Sequence, residues 1–483
     1  MKRKTTLHRR LFPEKTSGLF LGLIFLFFFY GCASHKAYQG PPEISPGENW
    51  AIETEEEAES SLERWWENFD DPVLTRLVLK GRAENLDIRG AVLRIEEARH
   101  LVSSAAGAYY PGLSFDAALT RRRQSENGPL PITIIPGIDR DQTIYETSLG
   151  ASWEIDLFGR VRHSVERAEA LFEKAVEDAQ AVRIGITAEI GNAYFSLKSA
   201  QGELLAEKAN IAALRDILLL VERRILAGDL PETEKKTLEA RLSAAESALP
   251  SIEARIRASA LALGTLTGEL PEKELHLIES ESREWKFPAI PAGERADILR
   301  RRPDIRSAER MLAAASAEHG LAVAEQFPDL RITALGGFQS LAFHDLPKAA
   351  SQVLSISPLI SWNLFSGGKI RAQIHAAEAR QEQTAAAYEK AVLTAIEEAE
   401  RSMGNYLYAL ETLDRQERAV AMAREVLESQ KRRFAAGDAD MLDVLEAQRE
   451  VSKLEAARAQ GKGQAAMQCL ASFKALGGGW TPE

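Results

Sequence analysis

The chain has very little cysteine, which argues against a fold built on disulfide bonds. Its 483 residues include two cysteines, Cys32 and Cys469. Acylation of Cys32 would leave Cys469 without a partner for an intrachain disulfide. Cys469 stands in an alanine-rich segment near the C-terminus, and we interpret it as a small buried thiol.

Motifs for catalysis are also absent. The eight histidines include no pair with the spacing of a helical zinc site. No phosphate-binding glycine loop, serine nucleophile elbow or CxxC pair is present. The sequence therefore predicts no catalytic residue, no metal site and no cofactor, and it favours a protein that is not an enzyme.

Long apolar runs are missing after the N-terminus, and basic charge is in deficit. No segment beyond residue 31 approaches the roughly eighteen apolar residues of a spanning helix. We expect any membrane crossing by the mature chain to be made by strands. Residues 1–31 hold six of the 60 basic and one of the 71 acidic residues, so the remainder has a net charge of -16. That acidity argues against a nucleic-acid partner.

The N-terminus has the features of a lipoprotein export signal. Basic residues from Lys2 to Lys15 precede an apolar run at 19–30, which is too short to span a bilayer. The run ends at Gly31-Cys32, and a small residue directly before a cysteine resembles the bacterial lipobox. We predict that residues 1–31 are removed and that Cys32 is lipidated. Ordinary cleavage that leaves an exported free thiol is the alternative.

The rest of the chain is a tandem duplication. Asn85–Arg89 returns as Arg302–Arg306, and the register between Trp153 and Gly268 returns without net insertion between Trp362 and Gly477. Chance would not keep so many pairs in step. We predict the following division: an anchored segment at 32–62, a first repeat at 63–268, an inter-repeat segment at 269–298 and a second repeat at 299–480.

Each repeat contains two stretches in which apolar and polar residues alternate. Alternation predicts strands with one apolar and one polar face, as in a half-buried soluble sheet or a membrane barrel with a wet lumen. Four strands cannot close a barrel, which needs at least about eight, so several chains would have to share one. Pro358 favours a strand end or a bulge. The predicted strands are about 113–120, 145–154, 329–338 and 351–362.

Each repeat also contains one very long helix. Residues 159–227 and 368–436 lack proline and are rich in good helix formers, so each predicts a helix on the order of 100 Å if continuous. Gly228 and Gly437 follow as glycine C-caps, after which the chain turns back. Pro250 predicts a break or kink in the first returning helix. Paired long helices also suit a periplasmic coiled-coil scaffold or adaptor, although that alternative leaves the strands without a role.

With the duplication and paired strands, two motifs identify a family. The segments Trp65–Pro72 and Leu299–Ile305 resemble motifs of the TolC-like outer-membrane efflux proteins, in the lipoprotein branch related to OprM and NodT. The resemblance runs from about Cys32 to Trp480. It implies a mixed α/β membrane protein in which three chains form a twelve-stranded outer-membrane β-barrel on a long periplasmic α-helical barrel. The inter-repeat segment would form an equatorial belt.

The resemblance also implies a function and a set of sites. The chain would be a lipid-anchored outer-membrane channel subunit, a homotrimer that serves as a passive, gated exit for a periplasmic adaptor and an inner-membrane pump. Asp443 and Glu446 are three residues apart on one helix face, and three chains would arrange six carboxylates as a pore gate. Complementing a helix N-terminus is their alternative role. The predicted adaptor contacts at the helix turns are Arg224, Gly228, Arg433 and Gly437.

Overall fold

The chain forms two compact units. The computed structural model describes residues 38–52 apart from 45 and 48, and residues 61–125, 139–279 and 285–480. The predicted signal and Cys32 lie outside these residues. One unit, here named the strand unit, comprises Met1–Gly40, Arg99–Leu171 and Met311–Thr384. The other, the helix unit, comprises Pro41–Ala98, Phe172–Arg310 and Ala385–Glu483.

The order helix, strand, strand, helix, helix occurs twice, as the duplication predicted. Among the described residues, no helix combines the length and the hydrophobicity that a bilayer crossing requires. The elements in chain order are α1 (Pro72–Glu84), α2 (Leu86–Ala106), β1 (Gly112–Arg123), β2 (Asp141–Ile155), α3 (Arg160–Leu226), α4 (Glu232–Leu266), α5 (Asp297–Arg301), α6 (Pro303–Ala324), β3 (Asp329–Ser340), β4 (Gln352–Ser361), α7 (Lys369–Ala436) and α8 (Met441–Ala475).

The four strands form one antiparallel sheet in the order β1-β2-β3-β4. The first pair extends from Gly112 opposite Ser152 to Arg123 opposite Asp141, beyond the alternation that predicted it. Pro358 lies inside β4 in regular register opposite Ile332, so the expected strand end or bulge is wrong. Within this chain β4 is an edge strand, where a missing N–H is tolerated.

The helices are as long as the absence of proline predicted. The helices α3 and α7 contain 67 and 68 residues. The helix α4 continues through Pro250, so a break there is wrong. Proline removes one backbone hydrogen bond, and the ring lies on the exposed face while Ile252 and Ile256 are buried. The packing of that buried face holds the helix together across the proline.

The helix unit has an aromatic core. Trp65, Trp66 and Phe69, from the first family motif, are almost fully buried together with Phe195 and Phe473. Stacking of Trp65 on Phe473, with ring centroids 6.2 Å apart, joins the segment before α1 to α8. A second apolar cluster, with Val221, Leu238 and Val444 among its members, joins the helices near both turns.

The duplication is preserved in contacts as well as in sequence. The Asn85 amide donates to the backbone oxygen of Leu266 at 2.9 Å. At the equivalent place in the second repeat, the Arg302 guanidinium donates to the backbone oxygen of Ala475 at 3.0 Å. Both side chains therefore join the start of the helix before the strand pair to the end of the last helix of the same repeat.

Candidate functional site

The sheet presents one largely apolar face. Pairing aligns side chains across all four strands, so that Phe115, Leu149, Gly336 and Leu354 form one row. Members of this face are unusually exposed for large apolar groups: Leu354 is 80% exposed. Other exposed members are Leu113, Leu119, Ile356 and Ile360. Such a surface costs free energy in water, on the order of 25 cal/mol per Å², and requires an apolar neighbour.

The opposite face is mostly polar. One row consists of Gly112, Ser152, Thr333 and Ser357. The face also carries Asp116, Glu146, Glu154 and Arg331, with Ile144, Leu335, Val353 and Leu359 as large apolar exceptions. Arg331 lies 3.9 Å from Glu154 on the neighbouring strand. A sheet with faces of opposite character is suited to separating a lipid phase from water.

Aromatic residues mark both borders of the apolar face. At the end next to the helices, the Trp153 indole donates to the backbone oxygen of Tyr109 at 3.0 Å. Trp362, its equivalent, donates to the backbone oxygen of Gln326 at 3.0 Å. At the far end Tyr145 and Phe343 pack edge-on, with centroids 5.6 Å apart. Amphipathic rings of this kind are enriched at membrane interfaces.

Both helix turns have the same backbone geometry. Gly228 and Gly437 each have φ of +84°. Asp229 donates its backbone N–H to the oxygen of Arg224, and Asp438 donates to that of Arg433, each at 2.9 Å. These bonds form the glycine-dependent Schellman cap that satisfies the last helical carbonyls. A side chain at either glycine would meet open space, so backbone strain alone demands glycine here.

The two turn arginines have different neighbours. The Arg224 guanidinium carbon lies 4.1 Å from the centre of the Phe434 ring, and its Nη2 donates to the Phe434 backbone oxygen at 3.2 Å. Arg433 instead donates to Gln430 and to the backbone oxygen of Asp438, within its own turn. Neither arginine is a simple solvated side chain.

The predicted gate acids are also unlike each other. Both are exposed. The Asp443 carboxylate accepts the backbone N–H of Asp440 at 3.2 Å, as half of a capping box at the start of α8. Glu446 makes no hydrogen bond or ion pair with the part of the chain that the structure describes. The N-terminal role thus has direct support for Asp443, while Glu446 remains available to face a pore.

Two features of the turns were missed by sequence reasoning. Leu226 is 88% exposed directly before the first turn. Lys235 on α4 lies 2.8 Å from Glu222 on α3, and this hydrogen bond raises the pKa of Lys235. Position 226 is detectable in the sequence as a leucine two residues before the capping glycine. The ion pair requires the hairpin geometry, which a linear pattern does not give.

Comparison with known proteins places these features in context. The family model described as "Outer membrane efflux protein" matches residues 78–269 and 295–478. The chain is 27% identical to the pyoverdine export outer membrane protein OpmQ of Pseudomonas putida, over 91% of this chain and 93% of that protein. It is 30% identical to the outer membrane protein OprJ of Pseudomonas aeruginosa, over 86% of each. The solved outer-membrane channel OprN is 30% identical, with a TM-score of 0.81 over 93% of this chain and all of that one.

Proposed function

Because the chain belongs to the outer membrane efflux protein family, we propose that three copies assemble into one channel through which an efflux system empties across the outer membrane. The chain is an outer-membrane efflux channel subunit. Each copy contributes four strands to a twelve-stranded barrel, and its long helices form a periplasmic conduit. A periplasmic adaptor and an inner-membrane pump deliver the substrate, and the channel itself is passive.

The observation that carries this proposal is the open, two-faced sheet. Among the described residues, neither β1 nor β4 has a partner on its outer edge. The order of an antiparallel four-stranded sheet lets β4 of one copy pair antiparallel with β1 of the next. Two copies give eight strands, which enclose a space filled by side chains, whereas twelve leave room for a lumen. A periplasmic scaffold would need neither the open edges nor the exposed apolar face.

Native mass spectrometry of the detergent-purified protein tests the assembly, and planar bilayer recording of the same sample tests the pore. We expect a trimer and discrete conductance steps. A stable folded monomer or dimer would contradict the shared barrel. Trimers without conductance would contradict the channel.

We propose that the turns are the adaptor contact. The exposed Leu226, the glycine caps at Gly228 and Gly437, and the flanking Arg224 and Arg433 support this role. Leu226→Glu should reduce efflux in cells while trimers persist in membranes. Leu205→Glu is the matched control, because Leu205 is 68% exposed on the same helix but lies about six turns away. Normal efflux by the Leu226 variant, or equal loss in both, would remove the turns from this role.

We propose that the gate acids line the narrow end of the lumen, with Glu446 as the principal carboxylate. Three copies of Glu446 and of Asp443 would favour cations. Glu446→Gln should lower cation selectivity in bilayers without disturbing the helix cap. Asp443→Asn acts on both pore and cap, so it is the less clean variant. Glu425→Gln, at an exposed position of α7, is the control. Unchanged selectivity in the Glu446 variant would eliminate the acidic gate.

We propose that Cys32 carries the lipid anchor. Support comes from the lipobox-like Gly31-Cys32 sequence and from the family. Mass spectrometry of the mature N-terminus should find an acylated Cys32, and Cys32→Ala should abolish fatty-acid labelling. An unmodified N-terminus would refute the anchor and leave the channel proposal intact.

A further inference from the structure

An arginine cluster, Arg121, Arg122, Arg123 and Arg140, stands at the far end of the first hairpin. The surrounding described segments, 121–125 and 139–143, contain these four arginines and two acids, Asp139 and Asp141. All four arginines are exposed. The excess of positive charge is unusual in a chain with a net charge of -11. The efflux channel proposed above does not require such a cluster.

The cluster is divided between the two faces of the sheet. Arg121 and Arg123 follow Leu119 on the apolar face, because side chains alternate along a strand. Arg122 lies opposite Gln142 and points with the polar face. Arg123 is engaged through two hydrogen bonds, of 2.7 and 2.8 Å, with the carboxylate of Asp141. Neither Arg121 nor Arg122 makes a hydrogen bond or ion pair with any residue that the structure describes.

The depth of Arg121 in the membrane follows from its distance to the aromatic residues at the borders of the apolar face. Trp153 and Tyr145 are eight residues apart on β2, or roughly 27 Å along the strand, which projects to about 20 Å at the tilt of membrane barrels. This length is close to an apolar band of about 25 Å. Leu119 lies opposite Tyr145, and Arg121 is two residues further, about 7 Å along the strand. Its guanidinium therefore reaches the headgroup level just beyond the aromatic border.

The hairpin end lies on the outer side of the membrane. The strand β1 begins after α2 and β2 ends before α3, so Arg123 and Asp141 are at the strand ends remote from the helices. With the helices in the periplasm, these ends meet the outer leaflet. This step rests on the proposed function.

We propose that Arg121 binds a phosphate group of the phosphorylated glycolipid in the outer leaflet. An arginine that follows an apolar stripe can keep its stem against acyl chains and place its charged end among the headgroups. Its planar guanidinium matches phosphate oxygens in a two-bond geometry. Arg123 is less suited, because its guanidinium already donates two hydrogen bonds to Asp141. One site per chain gives three around the barrel.

Native mass spectrometry of the detergent-solubilised trimer, titrated with diphosphorylated lipid A, tests the proposal. Arg121→Gln should weaken binding about fivefold, the effect of one basic residue near an anionic lipid surface. Arg122→Gln removes the same charge on the opposite face and should bind as the unaltered protein does. Arg121→Lys should lie between, because it keeps the charge and loses the two-bond geometry.

Two further arms separate lipid from free phosphate. Lipid A stripped of its phosphates should bind the unaltered protein more weakly and should no longer distinguish Arg121→Gln from it. Inorganic phosphate in millimolar excess should not displace the lipid. Equal loss in the Arg121 and Arg122 variants, no loss in the Arg121 variant, or displacement by inorganic phosphate would each overturn the assignment. Trimer mass and conductance, recorded on the same samples, report separately on the channel itself.

Discussion

The two repeats follow one chain path but fill equivalent positions with different chemistry. The neutral Asn85 precedes α2 in the first repeat, and the charged Arg302 precedes α6 at the equivalent position of the second. Both bond to the backbone near the end of their own repeat. Arg302 additionally bonds to Asp304 at 2.6 Å and to Glu398 at 2.8 Å. Burial lowers the pKa of Arg302, but pairing with Asp304 and Glu398 more than offsets it, and the pKa is raised. The duplicated fold therefore fixes where the two side chains lie, while their chemical character differs between the repeats.

The largest expected difference between the repeats is at this pair. Arg302→Ala should lower the free energy of unfolding by about 2–4 kcal/mol, because it removes a buried guanidinium bonded to two half-exposed carboxylates and leaves the buried Ala475 carbonyl without its donor. Asn85→Ala should cost about 1–3 kcal/mol, because it removes the bond to Leu266 and the cap in which the Asn85 side-chain oxygen accepts the backbone N–H groups of Asp87 and Ile88. Urea unfolding followed by circular dichroism measures both. Arg300→Ala, in an exposed position of α5, is the control and should change little. Equal costs for Arg302 and Asn85 would show that the charge adds nothing.

A smaller difference is expected at the turns. Arg224→Ala should raise amide hydrogen exchange around Phe434 about tenfold, since a cation–π contact and a hydrogen bond together contribute about 1–2 kcal/mol. Arg433→Ala should raise it about twofold, because its bonds are exposed and local. In a Phe434→Leu background, Arg224→Ala should lose most of its effect. Persistence of the full effect there would show that the ring is not the partner.

The smallest expected effect concerns pH. Burial raises the pKa of Glu177 above its ordinary value of 4.5, although Arg306 and Arg310 act to lower it. The folded state then holds a proton that the unfolded state has released, so the unfolding free energy falls as the pH rises from 4.5 through the raised pKa. Ala386 stands at the equivalent position of the second repeat and has no such dependence.

Glu177→Gln should remove the decrease in the free energy of unfolding that accompanies rising pH. The urea midpoints of the unaltered protein and of the variant are measured from about pH 4 to about pH 7. The amount by which the midpoint of the unaltered protein exceeds that of the variant should decrease as the pH rises. A constant difference across this range would mean that Glu177 ionises normally.

The sequence predicted the sheet but not its ends. The alternation of apolar and polar residues ends at Leu119 in the first strand, and the strand predicted from it ends at about residue 120. Pairing continues to Arg123 because the Arg123–Asp141 ion pair and backbone bonds hold residues that lack an apolar face. The pattern of apolar and polar residues gives no signal for an ion pair of this kind. Family and fold class were predictable, because a duplication in constant register carries information over the whole chain.

The candidate sites were harder to predict, because their partners are distant in sequence. Arg224 and Arg433 are equivalent in sequence, and nothing local distinguishes them. Their surroundings differ because Phe434 offers Arg224 an aromatic ring, whereas Ile225 stands at the equivalent of Phe434. Glu398 reaches Arg302 from 96 residues away. The capping role of Asp443 could be considered from the sequence alone, because its position near a helix start is a local feature.

Within the described part of the chain the outer edges of β1 and β4 are unpaired, and this has a consequence for biogenesis. A copy that joins its neighbour by these edges makes a head-to-tail contact, and each addition leaves a fresh edge at both ends. Growth of this kind stops only if the rotation between successive copies brings β4 of the third copy against β1 of the first copy. A small error in sheet curvature would yield an open fibre instead. The edges are ten and twelve residues long, enough to template mispairing. Curvature of a single sheet therefore decides between a finished pore and an aggregate.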